Sequence, residues 1–151
     1  MGSDGKEAQN KIKELAGNKN LRVCGPNCIG LINFNSPTAL SFSQLLEIDT
    51  LIPVNIGFIS QSGALGGSLV NRAQDKKIGL SYFISSGNEA VLDTVDYMEH
   101  FLDDPRTHVI TSFLEGIRRI EAFKECCLRA AAIGKPVIVV KVGRSEMTRK
   151  T

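Results

Sequence analysis

Asn55-Ile56-Gly57-Phe58-Ile59-Ser60-Gln61-Ser62-Gly63-Ala64-Leu65-Gly66 runs from an apolar segment through a small-residue turn into a helical pattern. It reads as a buried strand that ends in a hydroxyl-bearing turn and passes straight into a helix. Such a turn gathers backbone N–H groups, two hydroxyls and a helix N-terminus. A helix N-terminus carries about half a positive elementary charge and unpaired donors, which suits a phosphoryl group. The local pattern is equally that of an ordinary strand–helix junction capped by Ser. It is neither a Walker A loop nor a dinucleotide fingerprint.

Downstream, the same alternation repeats. Gly79 to Ile84 is a second strand, and 90–102 a helix with Val91, Leu92, Val95, Met98 and Phe101 or Leu102 on its inner face. Strand 108–114, helix 119–133 closed by Gly134, and strand 137–142 follow. Near-continuous apolar strands alternating with amphipathic helices predict an α/β fold, a parallel sheet with helices on both faces. Upstream, 5–16 is a polar helix with Ile12, Leu15 and Ala16 on its apolar side, stopped by Gly17-Asn18. Leu21 to Cys24 reads as a short strand, Gly25-Pro26-Asn27 as a turn, and Ile29 to Asn33 as extended. Residues 34–54 are irregular, with a candidate edge strand at Leu40 to Ser43, and read as a linker.

In an open α/β sheet, ligands bind beyond the carboxyl ends of the strands. Four loops share that edge: Ser60-Gln61-Ser62-Gly63, Ser85-Ser86-Gly87-Asn88-Glu89, Glu115-Gly116 and Gly143-Arg144-Ser145-Glu146. The opposite edge carries Lys76-Lys77, Asp103-Asp104 and Lys135, which read as solvated turns.

The chain has 151 residues and a formal charge of +2, with no basic stripe. Nucleic acid is therefore not an expected partner. No apolar run approaches the ~20 residues that span a bilayer, so no membrane association is expected. Met1-Gly2-Ser3 reads as an expression leader, and Lys6 argues against myristoylation. The four cysteines, Cys24, Cys28, Cys126 and Cys127, have no paired C-x-x-C spacing, and the histidines are distant in sequence. No metal site is expected, and buried reduced thiols fit a cytosolic or organelle-matrix protein, of which a cytoplasmic location is the expectation taken.

Four motifs in order carry a resemblance. They are Gly25-Pro26-Asn27-Cys28-Ile29-Gly30 with Asn33, Ser60-Gln61-Ser62-Gly63-Ala64-Leu65, Ser85-Ser86-Gly87-Asn88-Glu89-Ala90, and Lys141-Val142-Gly143-Arg144-Ser145-Glu146. Asp104-Pro105-Arg106-Thr107 fits as well. The chain resembles the NDP-forming acyl-CoA synthetases, relatives of the succinyl-CoA synthetase α subunit. The resemblance implies a flavodoxin-like (succinyl-CoA synthetase-like) sheet, truncated before its last strand. It implies that residues 1–45 are a remnant of a CoA-binding Rossmann-like domain plus linker, and 46–151 an incomplete flavodoxin-like ligase domain.

Such enzymes form acyl-CoA from a carboxylic acid, CoA and ATP or GTP, through an acyl phosphate and a phosphohistidine. CoA, nucleotide, Mg2+ and an ATP-grasp domain or subunit are implied for the full enzyme, and no cofactor for this fragment alone. By the same resemblance Ser60, Gln61, Ser62, Gly63 and Ala64 would cradle the phosphoryl group, with Ser86, Gly87 and Asn88 nearby. Glu115 would orient the catalytic histidine, fixing its tautomer. Asn27 and Cys28 would lie near the CoA thiol and acyl carbonyl. The family's phosphorylated histidine follows the Gly-Arg-Ser-Glu segment, where this chain reads Met147-Thr148-Arg149-Lys150-Thr151. His100 and His108 do not align with it, and each reads as a surface or packing residue. This chain alone is expected to be inactive.

Two related readings stand beside this one, an ATP-citrate lyase-type relative and a ligand-sensing synthetase-like module of a protein acetyltransferase. Only four strands follow residue 54, against five in a complete flavodoxin-like sheet. The open edge predicts homodimerisation, edge pairing or a replacement strand drawn from residues 20–45.

Overall fold

The computed structural model describes residues 3–36, 38–42 and 53–143. Four parallel strands form its centre, each placed where an apolar run predicts one: β3 (Pro53–Ser60), β4 (Leu80–Ser85), β5 (Val109–Leu114) and β6 (Val137–Lys141). The helices α2 (Gly63–Asp75), α3 (Thr94–Asp103) and α4 (Ile120–Ala132) connect them. A polar helix α1 (Ser3–Lys19) and two short strands, β1 (Gly30–Asn33) and β2 (Thr38–Ser41), precede them.

The strand order is β2-β1-β4-β3-β5-β6. The sheet is mixed, because β1 lies antiparallel to both β4 and β2. β1 is drawn from residues 20–45, but it pairs at the β4 edge and not at the β6 edge, where a strand following β6 would lie, so it does not stand in for that strand. What holds it there is packing: Ile32 and Phe34 are buried with Phe58, Val70 and Phe83. Gly30 allows β2 to approach, since a Cβ at that position would sit 1.9 Å from the Leu40 carbonyl oxygen. β6 ends the sheet on the other side among the described residues, with Ile138 and Val140 exposed.

Both faces of the central strands are covered, and every residue of β4 is buried. Val70 of α2 packs on Phe58 and Phe83. On the opposite side Val95, Met98 and Phe101 of α3 and Cys126 and Ala130 of α4 pack on Ile59, Tyr82, Ile84 and Ile110. Burial of this kind contributes about 25 cal/mol per Å² of apolar surface.

Three local expectations change. Leu21 to Cys24 forms no strand; the carbonyls of Val23, Gly25 and Pro26 accept instead from the N–H groups of Leu92, Ala90 and Asn88. Helix α3 starts at Thr94, not residue 90, because Asp93 and Asp96 form a reciprocal capping box. The opposite-edge turns are not simply solvated. Asp104 is buried and accepts from Arg106 and Thr107, and Lys135 Nζ donates to the carbonyls of Phe101, Leu102 and Asp104 at 2.8–2.9 Å. Lys135 thereby satisfies the last carbonyls of α3, which no helical N–H can reach. The expected linker falls partly outside the described residues, as do Arg144, Ser145 and Glu146 of the fourth loop.

Candidate functional site

The carboxyl end of β3 builds the site. Ser60 closes the strand with no exposed surface, and its Oγ donates to the Ser62 carbonyl at 2.7 Å. That bond folds the chain sharply, so Ser62 becomes the N-cap of α2 with its Oγ accepting from Leu65 N–H. The first N–H groups of α2, at Gly63 and Ala64, have no acceptor within the helix and point out of its N-terminus.

Asn27, Cys28, Gln61, Ser62, Gly63, Ala64, Gly87, Asn88 and Glu115 line one cavity of about 620 Å³. Ile29 and Phe42 complete its wall as an apolar side. Ser60 and Ser86 are not on the lining; both are buried behind it. Ser86 N–H donates to the Ser60 carbonyl at 2.8 Å, which joins the first two loops.

The Gln61 carboxamide is committed to the third loop. Its Oε1 accepts from the N–H groups of Glu115 and Gly116 at 2.6 and 2.9 Å, and its Nε2 donates to the Gly116 carbonyl at 2.8 Å. Glu115 is thus fixed through its backbone beside Gln61, and it lines the same cavity as the Ser62–Ala64 turn.

The second loop is held in an uncommon conformation. Gly87 and Glu89 both have positive φ, at 60° and 55°. Glu89 is buried, and its Oε1 accepts from Ser86 Oγ at 2.8 Å and Thr94 Oγ1 at 2.6 Å. Asn27 Nδ2 donates to Asn88 Oδ1 at 3.1 Å, and Asn88 Nδ2 to Gln9 Oε1 of α1 at 3.3 Å.

Sequence reading missed two adjacent residues that tie the loops together. Arg118 donates to the carbonyls of Glu89 and Asn88 at 2.6 and 2.7 Å. Arg119 grips the Asp93 carboxylate with two nitrogens, at 2.5 and 2.7 Å, and reaches Asp96 at 2.7 Å. Burial works to raise the Asp93 carboxyl, but hydrogen bonds from Arg119 and the backbone outweigh it and hold the group below its ordinary range. The available signal was a dibasic pair directly after Glu115-Gly116-Ile117.

All four cysteines are free, and burial raises the thiols of Cys24, Cys126 and Cys127. The histidines are structural. His108 Nε2 donates to the Pro105 carbonyl, which leaves Nδ1 to accept from Asn55 Nδ2. His100 packs edge-on against Tyr82. Among the described residues there is no cluster of three or more His, Cys, Asp and Glu able to hold a metal ion. None of the described helices is long and apolar enough to cross a membrane.

With this geometry in place, comparison with known proteins places the chain. The family described as "Succinyl-CoA ligase like flavodoxin domain" matches residues 53–151. The chain belongs to that family. It is 37% identical over 145 residues to the acetate–CoA ligase [ADP-forming] II subunit alpha of Pyrococcus furiosus, covering 96% of this chain and 30% of that one. It is 34% identical over 143 residues to a 4-hydroxybutyrate–CoA ligase [ADP-forming] of Nitrosopumilus maritimus, covering 94% and 20%.

Among solved structures, the dinucleotide-forming acetyl-coenzyme A synthetase 1 of Ca. Korarchaeum cryptofilum, in complex with phosphate and ADP, matches with a TM-score of 0.85 and 36% identity. The match covers 95% of this chain and 30% of that one. An ATP citrate lyase of Methanosaeta concilii, at 17% identity and a TM-score of 0.67, shares the fold only. The chain therefore spans about a third or less of the length of these relatives.

Proposed function

We propose that this chain is part of an ADP-forming acyl-CoA synthetase and supplies the pocket that receives the phosphoryl group carried by a catalytic histidine. The observation that carries the reading is that Glu115 and the Gln61–Ala64 turn line one cavity with Asn27, Cys28, Gly87 and Asn88. A helix N-terminus and a carboxylate lining one cavity suit a phosphoimidazole. The amides of Gly63 and Ala64 meet the phosphoryl oxygens, and Glu115 accepts from the distal ring N–H. Fixed donors aimed at a transferring phosphoryl group stabilise its charge without reorganisation. Ser60 and Ser86 act here by shaping the turn, and Gln61 by setting Glu115.

On this reading residues 1–45 are the end of a CoA-binding domain with its linker, and 46–151 the flavodoxin-like domain. CoA, ATP or GTP, Mg2+, an ATP-grasp partner and the histidine belong to the rest of the protein, and a cytoplasmic location follows. Asn27 and Cys28 face the acyl group and the CoA thiol. Relatives named as acetate– and 4-hydroxybutyrate–CoA ligases favour this branch over a lyase or a sensing module.

The test has two arms. Inorganic phosphate titrated into this chain moves the amide resonances of Gly63 and Ala64 before others. In the full-length protein, Glu115→Gln lowers acyl-CoA formation about a hundredfold, the scale of a lost proton-handling partner. Phosphate that leaves the Gly63 and Ala64 amides unmoved, or full activity in the variant, refutes the assignment.

A further inference from the structure

Arg118 is a charged group that the proposed chemistry leaves without a task. It lies three residues past Glu115 and, although exposed, reaches back to the 86–90 loop. Its two terminal nitrogens take two successive carbonyls, those of Asn88 and Glu89. These belong to a stretch beside the cavity where a non-glycine residue, Glu89, is held with positive φ, as Asn27 is on the facing segment. Such a conformation persists only where its surroundings over-determine it. The loop has a fixed inner side: Asn88 N–H donates to the Pro26 carbonyl at 2.8 Å, and a Cβ on Gly87 would sit 2.3 Å from that same oxygen. The guanidinium grips the other side. It draws the carbonyls of residues 88 and 89 to itself, and Gly87 and Asn88 remain on the cavity lining.

We infer that Arg118 is a positioning residue for the anion site. It orients the Gly87–Asn88 turn toward the cavity and locks that turn to the loop that carries Glu115. The inference rests on the proposed phosphoryl pocket. Its neighbour provides the contrast: Arg119 binds the carboxylates of Asp93 and Asp96 and secures the start of α3, away from the lining. A planar fork can hold two carbonyls at once, whereas a lysine ammonium is a point charge on a flexible stem. Charge alone therefore does not replace Arg118.

The experiment is a phosphate titration of the full chain, wild type against Arg118→Lys and Arg118→Gln, followed residue by residue through amide resonances. We expect both variants to raise the phosphate Kd about tenfold, the scale of one charge-assisted hydrogen bond. The Gly87 and Asn88 amides lose their response, while Gly63 and Ala64 still respond at higher phosphate. Wild-type affinity in Arg118→Lys overturns the inference, because it makes the residue a simple charge. So does an equal loss of response at both sets of amides, which marks general disorder of the edge. Wild-type protein with no response at Gly63 and Ala64 refutes the phosphoryl pocket itself, a result independent of either variant.

Discussion

The two ends of the parallel strands solve the same problem with different chemistry. At the amino ends, turns return the chain from helix to strand, and charged groups close them. Lys135 takes three carbonyls, Asp104 accepts from Arg106 and Thr107, and Arg106 also donates to Tyr82 Oη. At the carboxyl ends, buried neutral groups share the work from behind with Glu89, Arg118 and Arg119. Ser60, Ser85 and Ser86 are buried, and Gln61 crosses between loops. The amino edge consumes its polar groups on itself. The carboxyl edge uses serines and one glutamine to bend the backbone, so helix N–H groups and Glu115 stay turned to a cavity. A binding edge is marked less by polarity than by where hydrogen-bonding capacity is left unused.

The strongest way to break this comparison is to fill the packed side of the carboxyl edge. Ala at Gly87 would place a Cβ 2.3 Å from the Pro26 carbonyl oxygen and 2.5 Å from that of Asn27, on a backbone of positive φ. Overpacking and left-handed strain together give an expected loss of about 2–4 kcal/mol in urea unfolding. Gly116→Ala is the paired control, because nothing lies within 4 Å of its Cβ, and its stability should be unchanged. Equal losses in the two variants would mean that the second loop is no more tightly fixed than the third.

A smaller effect sharpens the amino side. Burial raises the Asp104 carboxyl, but hydrogen bonds from Arg106, its backbone N–H and Thr107 prevail and hold the group below the ordinary range. A lowered folded value means that the unfolded chain binds the proton first as pH falls. The stabilisation is complete above the unfolded value near about 4 and disappears as pH drops through the folded one. Asp104→Asn should cost about 1–2 kcal/mol at neutral pH and make the acid limb of a stability-against-pH curve shallower. Some acid dependence remains, because Asp93 is lowered as well. An acid limb as steep as wild type would remove Asp104 from the account.

Apolar runs made the parallel strands legible, since a strand covered on both faces has little choice of composition. The cavity was legible in outline because its residues sit in short contiguous loops, and the 61–64, 87–88 and 27–28 segments do meet with Glu115 in one cavity, while Ser60 and Ser86 lie behind it. What stayed hidden depends on reach through space. Asp104 and Lys135 look like any charged turn until the fold brings Nζ to carbonyls over thirty residues earlier in the chain. Arg118 and Arg119 find partners 23–30 residues away. The late start of α3 was readable in Asp93 and Asp96, but the apolar run Ala90-Val91-Leu92 blurs the boundary.

Gln61 separates the two edges most finely. Its three bonds all go to the backbone of residues 115 and 116, and all are exposed. In Gln61→Leu, water can take the freed N–H and carbonyl groups, so the expected loss of stability is under about 1 kcal/mol. At the amino edge, the analogous truncation strands buried oxygens and costs more. Yet Gln61 is what fixes the Glu115 backbone beside the cavity, so the variant should broaden or shift the Glu115 and Gly116 amide resonances while its urea midpoint stays near wild type. A loss of stability matching that of Asp104→Asn would mean that Gln61 is a structural strut like the amino-edge charges, and the distinction between the edges would fail. Retained stability with an unaltered third loop would instead move the placement of Glu115 to the Arg118 side of the same loop.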